Sequence, residues 1–379
     1  MSPELRFGAL ALALLLLLPA CRRRVAPPPP PPVPAALTLV AVGDIMMHQD
    51  VKAAAEAGGF EALWADVEPR LKAADVAFGN LETPIAPVGG RPGRPFVFNA
   101  PEALPGALKA AGWTLLSTAN NHAFDQGPAG VKETLERLEA AGLLHAGSGP
   151  DRAGAERAVV LQRNGLTLGL LAFTDLFNTD LNGAADRPTV RAFDPEAAAE
   201  AVRALRPKVD ALVVSVHWGN EYQRRPSPRQ VAGAEALVAA GADLVLGHHP
   251  HVLQPVTWVE AGGRKGLVAY SLGNFISNQD RTYPAPGHGA ADGDSRDGAL
   301  LEVRFLKEGG AARLVAATTH PLWTDNNWRD RAAGREQARR IQVRDLAPGG
   351  PFDQSAPVLA ALRRARIEAI LAGTAPATR

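Results

Sequence analysis

With 379 residues, 46% of them hydrophobic and 21% charged, the chain has the composition of a globular protein able to bury one large core or two modest ones. A net charge of +1, without a long basic block or aromatics interleaved with basic residues, offers no nucleic-acid footprint, and no nucleic-acid partner is expected. The single cysteine, Cys21, excludes an intrachain disulfide and a thiolate zinc site.

In chain order, Arg6 precedes an apolar segment over residues 7–18, too short for a membrane span and of the length of a signal-peptide core. It ends in Leu18-Pro19-Ala20-Cys21, which resembles a bacterial lipobox, where small residues precede a cysteine that is lipidated and becomes the first residue. Residues 1–20 are thus expected to be a lipoprotein signal peptide, with Cys21 attaching the chain to a lipid membrane; a cleaved signal with an incidental cysteine ranks second. Arg22-Arg23-Arg24 and the prolines at 27–32 and 34 follow. Such a run favours polyproline II, rising ~3.1 Å per residue, so residues 21–36 are expected to be a stiff tether.

The folded domain is expected over residues 37–330. Leu39-Val40-Ala41-Val42 reads as a strand running into Gly43-Asp44, with His48 four residues later. Residues 51–57 and 60–73 read as helices, the second with Leu63, Val67 and Leu71 at helical spacing. The next strand, residues 75–78, runs into Gly79-Asn80-Leu81-Glu82. A Gly/Pro-rich loop and a helix over 101–111 lead to a strand over 113–118 that ends in Asn120-Asn121-His122. A helix over 130–141 stops at Gly142, and Asn164-Gly165 between two apolar runs signals a hairpin. Helices over 195–205 and 230–240 precede two further strands. The first of these runs into His217-Trp218-Gly219, the second into Gly247-His248-His249-Pro250-His251. A strand over 267–270 runs into Ser271-Leu272-Gly273-Asn274-Phe275, and a polar loop over 279–297 precedes a strand pair over 299–306 and 312–318. Residues 331–379 read as a peripheral C-terminal helical extension, with Arg363, Arg364 and Arg366 on the solvated face of a helix over 358–371.

Short β-branched runs bounded by glycine fit strands buried on both faces, and ligands in open α/β sheets bind beyond the carboxyl ends of such strands. Here strand after strand ends in a polar knot of Asp, Glu, Asn or His, as one site assembled from many strands would require. Three of the nine histidines fall within residues 247–251. A neutral imidazole offers a lone pair at physiological pH, so metal binding is favoured over a loop whose histidines only pack. Elsewhere the bland readings stand, Asp175 as a turn acid and His145, His288 and His320 as structural or exposed, while for Trp218 shaping the pocket and bracing or packing the loop are equal readings.

Taken together and in order, Val42-Gly43-Asp44 with Met46 and His48, Gly79 to Pro84, Ala119 to His122, Val216 to Glu221, Gly247 to His251 and Tyr270 to Phe275 resemble the CapA family of bacterial capsule (poly-γ-glutamate) synthesis proteins, related to calcineurin-like metallophosphoesterases. The resemblance implies a metallophosphoesterase-like fold, a four-layer α/β/β/α sandwich with two mixed β-sheets, and a site for two divalent cations of Mn, Fe or Zn. Asp44 and His48 would serve one metal, Glu82 would bridge or approach both, and Asn121, His217, His249 and His251 would complete the set. His122 would stabilise or protonate a phosphate group. Asn80, Asn120, His248 and Asn274 would support the ligands or the substrate, Asn120 by orienting His122. The sequence departs from the superfamily in the wider spacing of Asp44 and His48, in Glu82 where an aspartate is usual, and in the choice between His248 and His249. Only His249 keeps the two-residue spacing to His251.

The function so implied is that of an envelope-anchored, extracytoplasmic lipoprotein of capsule biosynthesis or export. It would be a metal-dependent hydrolase of a phosphoester or amide, with an anionic polymer or phosphoester as ligand and membrane capsule-synthesis subunits as partners. The alternative is a non-catalytic polymer-binding or assembly subunit. Without a Gly-x-x-x-x-Gly-Lys-Ser/Thr loop the chain is not expected to be the ATP-driven ligase.

Overall fold

The computed structural model describes residues 35–279 and 294–374. The signal peptide, Cys21, nearly all of the tether and His288 lie outside them. The chain opens with strand β1 (Ala35–Ile45), helices α1 (Gln49–Gly58), α2 (Glu61–Trp64) and α3 (Glu68–Ala73), and β2 (Val76–Leu81). It continues through α4 (Leu104–Ala111), β3 (Leu115–Ser117), α5 (Gly127–Ala140) and β4 (Leu144–Ala146). Next come β5 (Ser148–Gly149), α6 (Arg152–Glu156), β6 (Val159–Arg163), β7 (Leu166–Thr174) and β8 (Thr189–Val190). After α7 (Pro195–Leu205), β9 (Ala211–His217), α8 (Pro228–Ala240) and β10 (Leu244–His248), the chain forms β11 (Val256–Ala261), β12 (Arg264–Ala269) and β13 (Asn274–Ile276). The last elements are β14 (Asp297–Glu308), β15 (Ala311–Asn326), α9 (Trp328–Ala332), β16 (Ile341–Asp345), α10 (Pro351–Ser355) and α11 (Pro357–Leu371).

Two mixed sheets result. The larger has the order β16-β15-β14-β1-β2-β3-β4, with β13 also pairing β1; the smaller has the order β11-β12-β10-β9-β7-β6. Strand alternation sorts the side chains into layers. From β1, Leu37, Leu39 and Ala41 enter the core between the sheets, where they meet Leu168 and Leu170 of β7, Val213 of β9 and Leu246 of β10. Val40 and Val42 face outward into a second core with Trp64, Leu71, Leu104 and Leu108 of the first helices. On the far side, Leu212 and Val214 of β9 pack with Val202 of α7 and Leu237 of α8. This is the expected four-layer α/β/β/α sandwich. The two outer helices are well started: Asp194 accepts from the N–H groups of Glu196 and Ala197, and Ser227 with Gln230 forms a capping box.

Two expectations change. Residues 60–73 form two short helices instead of one, because Pro69 brings no N–H to the ladder and starts a new helix near its N-terminus. The segment beyond 331 is not peripheral: β16 extends the larger sheet beside β15, and Ile341 and Val343 join the helix-side core. Arg363 is buried rather than solvated, since its guanidinium makes a two-point hydrogen-bonded pair with the fully buried carboxylate of Asp297. Arg364 donates to the Leu346 carbonyl. Among the described residues no helix is long and apolar enough to cross a membrane.

Candidate metal centre

The carboxyl ends of β1, β2, β9 and β10 converge, and local backbone devices aim the side chains there. In β1 the pairing with β2 steps from Ala41–Phe78 to Asp44–Asn80, so β1 carries one extra residue. This bulge shifts the alternation and turns Asp44 toward the inter-sheet side, while Ile45 stays in the helix-side core. Gly43 makes it possible: a Cβ there would stand 1.8 Å from the Gly273 carbonyl oxygen. Register places His217 directly beside His248 at the ends of β9 and β10. Just beyond, His249 and His251 adopt positive φ values of 95° and 56°, a strained backbone for residues with a Cβ. Such strain persists where surrounding contacts hold it in place.

Glu82, fully buried one residue past β2, is the centre of the cluster. Its carboxylate belongs to two convergent groups of potential ligands, one with His249 and His251 and one with Asp44 and His217. His217 Nε2 lies 3.6 Å and His251 Nε2 3.8 Å from Glu82 Oε1. Asn80 Nδ2 donates to Asp44 Oδ1 at 2.8 Å and fixes that carboxylate. Asn121 Oδ1 stands 2.9 Å from His217 Nε2, which places the amide against the second group. His251 Nδ1 is 3.2 Å from Asp44 Oδ2 and 3.0 Å from Asn274 Oδ1.

The electrostatics fit a cation. Burial pushes the Asp44 carboxyl up, but the imidazoles of His248 and His251 beside it prevail and hold it well below the usual carboxylate range. Burial, then the negative charges of Asp44, Glu221 and Asp125, push Glu82 well above it. Burial, then the neighbouring His249, hold His217 well below the ordinary imidazole value, and burial followed by His251 brings His249 to about 3. These rings are therefore neutral, with lone pairs to donate. Glu82 Oε1 and His249 Nδ1 are buried without a hydrogen-bond partner among the described residues. Two carboxylates, an amide and neutral imidazoles around unpartnered buried atoms are the donor set of a divalent transition metal.

The remaining predicted residues separate. His48 joins neither ligand group: it stands at the cap position of α1, and its Nδ1 accepts the Asn278 N–H at 3.2 Å. Burial, then the charges of His251 and His122, bring it to about 3. His248 likewise stands outside both groups; its Nδ1 is 3.4 Å from Asp44 Oδ1, and neither of its ring nitrogens has a hydrogen-bond partner among the described residues. Asn274 braces His251. Asn120 does not orient His122 but donates to the Leu81 carbonyl at 2.8 Å, next to Glu82. His122 is held by Asp125, whose Oδ2 lies 2.8 Å from its Nδ1 and also accepts the Phe98 N–H at 2.6 Å. Asn178 donates toward the same ring. The sequence reading missed Asp125 and Asn178; only the three-residue spacing from His122 to Asp125 could have signalled the first. Asp175 pairs with Arg229, His145 with Glu139 and His320 with Glu302, and Trp218 donates to the Tyr270 carbonyl, so these residues have structural employment. A cavity of about 330 Å³ opens beside the cluster, lined in part by His48, Phe98, His122, Tyr222 and His251.

Fold and site together define a four-layer α/β/β/α protein with a buried carboxylate–imidazole centre at its strand ends. The chain belongs to the family of the bacterial capsule synthesis protein PGA_cap, whose model matches residues 38–279. It is 35% identical over 286 residues to the capsule biosynthesis protein CapA of Bacillus anthracis, covering 73% of this chain and 66% of that protein. With the PGA biosynthesis protein CapA of Bacillus subtilis it shares 33% identity over 271 residues, 71% of this chain and 67% of the other. The chain thus spans about two thirds of the length of these relatives. Among solved structures, the 5′-nucleotidase precursor from Thermus thermophilus is similar at 18% identity and a TM-score of 0.44, over 76% of this chain and 54% of that one. The calcineurin-like phosphoesterase YfkN from Bacillus subtilis is similar at 13% identity and a TM-score of 0.40, over 89% of this chain and 99% of that one.

Proposed function

We propose that the chain is a cell-envelope protein of capsule (poly-γ-glutamate) biosynthesis or export whose strand-end cluster holds divalent cations and hydrolyses a phosphoester or an amide. The observation that carries the catalytic part is Glu82: a buried carboxylate with an unpartnered oxygen, shared by two groups of imidazole and carboxylate donors. Asp44, Glu82, Asn121, His217, His249 and His251 would hold the metal. When bound, divalent cations would supply activation of a water and neutralisation of the charge on the oxygens of the phosphoryl or carbonyl group that the water attacks. The protein's own residues do the rest. Asn80 holds Asp44, Asn274 aims His251, and Asp125 accepts from His122 Nδ1, which leaves Nε2, 3.3 Å from the Asn178 amide nitrogen, as the position that exchanges a proton with a leaving oxygen. A non-catalytic polymer-holding subunit is the second reading, favoured by relatives named for synthesis, including a probable polyglutamine synthesis accessory protein of Mycobacterium tuberculosis. Anionic polymer, the membrane through Cys21 and membrane capsule-synthesis subunits are the partners proposed.

Metal content decides first. Purified protein is expected to bring at least one divalent transition metal by mass spectrometry, and His249→Ala to lose most of it while His320→Ala does not. Equal stoichiometric metal in both variants removes His249 from the site; no metal in the parent removes the hydrolase reading. A screen with phosphodiesters and poly-γ-glutamate then separates hydrolysis from binding. For the anchor, Cys21→Ser is expected to release the protein from membranes. Retention of that variant in the membrane fraction with normal processing counts against lipidation.

A further inference from the structure

The cavity beside the cluster is lined not only by His122 and His251 but also by Lys52 of α1 and by Gly93, Arg94 and Phe98 of the loop that precedes α4. Lys52 is unusually placed. It sits in the first turn of α1, at the positive end of the helix dipole, where a cation is unfavourable. Its ammonium, half-buried, donates one hydrogen to the Asn99 carbonyl at 3.2 Å, which leaves two of three for another acceptor. Burial lowers its pKa against the opposing charge of Glu56. Two acids, Asp50 and Glu221, line the same wall. Asp50 accepts from Arg339 and Asn278, each at 3.3 Å, and the charge of Glu221 acts on Glu82, on the metal side. Met46 and Phe98 supply apolar wall in the same cavity.

We propose that Lys52, with Arg94 in the same cavity lining, anchors a second anionic group of the ligand, separated by a short apolar spacer from the anion held at the Glu82 cluster. This rests on the reading that the cluster holds the first anion through divalent cations. The ligand class is then a dianion, and the second group is a carboxylate or a phosphoryl.

Calorimetric titration of the full chain charged with Mn²⁺ tests it, with butyrate, glutarate and 4-phosphonobutyrate as probes. Glutarate or 4-phosphonobutyrate is expected to bind at least about tenfold more tightly than butyrate, the scale of one charge-assisted hydrogen bond. Lys52→Met is expected to abolish that gain and leave butyrate unchanged, while Lys52→Arg retains most of it. A Lys52-dependent gain with glutarate shows that a carboxylate suffices at Lys52; a gain with 4-phosphonobutyrate alone shows that one end must be a phosphoryl group. A gain that survives in Lys52→Met, or no gain at all while butyrate still binds in a Mn²⁺-dependent way, overturns the anchor alone. If no probe binds better with Mn²⁺ than without, the reading of the cluster falls and the anchor with it.

Discussion

His122 carries the sharpest functional question because it borders the cluster without belonging to either ligand group. Its ring lies against Phe98, with centroids 4.2 Å apart, and its Nδ1 is fixed on Asp125, so the exchangeable position is Nε2 in the cavity wall. If it delivers a proton to the leaving group, His122→Ala keeps the metal and loses about 10²–10⁴ in turnover, once an activity is established. Asp125→Asn keeps the shape but weakens the acceptor, so it is expected to lose less and to shift the pH profile of turnover. Metal lost together with turnover would make His122 a ligand, and unchanged turnover would make it structural. At this scale the acids, amides and imidazoles of the cluster were legible, because each directly follows a β-branched strand. Asp125 was not: a single acid in a loop has no periodicity to mark it. His48, assigned to the metal by resemblance despite its wider spacing from Asp44, joins neither ligand group, because the chain uses it at the start of α1.

At the level of elements, two glycines decide whether the strands can converge. Gly43 lies flat against Gly273, and Gly247 would bring a Cβ within 1.9 Å of the Tyr270 carbonyl oxygen. Backbone cannot yield there as a side-chain tip can. Gly43→Ala is therefore expected to separate β1 from β13, to cost about 1–3 kcal/mol or more in urea unfolding, and to lower metal content. Gly106→Ala, on the exposed face of α4 with nothing within 4 Å, is expected to stabilise by roughly 0.5–1 kcal/mol. Equal stabilities for the two variants would remove the close approach at Gly43 as a determinant of the site. The long apolar strands and the Asn164-Gly165 hairpin, with φ of 50° and 79°, could be read from sequence. The bulge in β1 could not, since Leu-Val-Ala-Val-Gly-Asp reads as an unbroken strand. Nor could β13, three residues long, or β16, whose alternation is short and sits among charges.

Across the whole molecule the two sheets are joined at both ends of their strands. At the site end, Asp44 of one sheet faces His248 and His251 of the other. At the opposite end, Asn164 from the β6–β7 turn donates to Asp75 at 2.7 Å, and Lys307 of β14 meets Asp210 at 2.8 Å. Asp210 also accepts the Thr167 N–H at 2.8 Å, so its carboxylate bridges a strand of each sheet. Burial raises its pKa, but the hydrogen bond and charge of Lys307 and the Thr167 N–H outweigh it, and the carboxyl is held below its usual value. A carboxyl depressed in the folded state contributes stability above its unfolded pKa of about 4 and loses it as pH falls through the folded value. The pair is partly exposed, so solvent screening limits it to roughly 0.5–1 kcal/mol at neutral pH. Lys307→Met is thus expected to lower the urea midpoint at pH 7 and to differ less from the parent as pH drops below about 4, where the unfolded carboxyl is already protonated. A deficit that stays constant down to about pH 3 would assign the loss to the packing of the lysine stem rather than to its charge, and the clasp between the sheets would then be apolar.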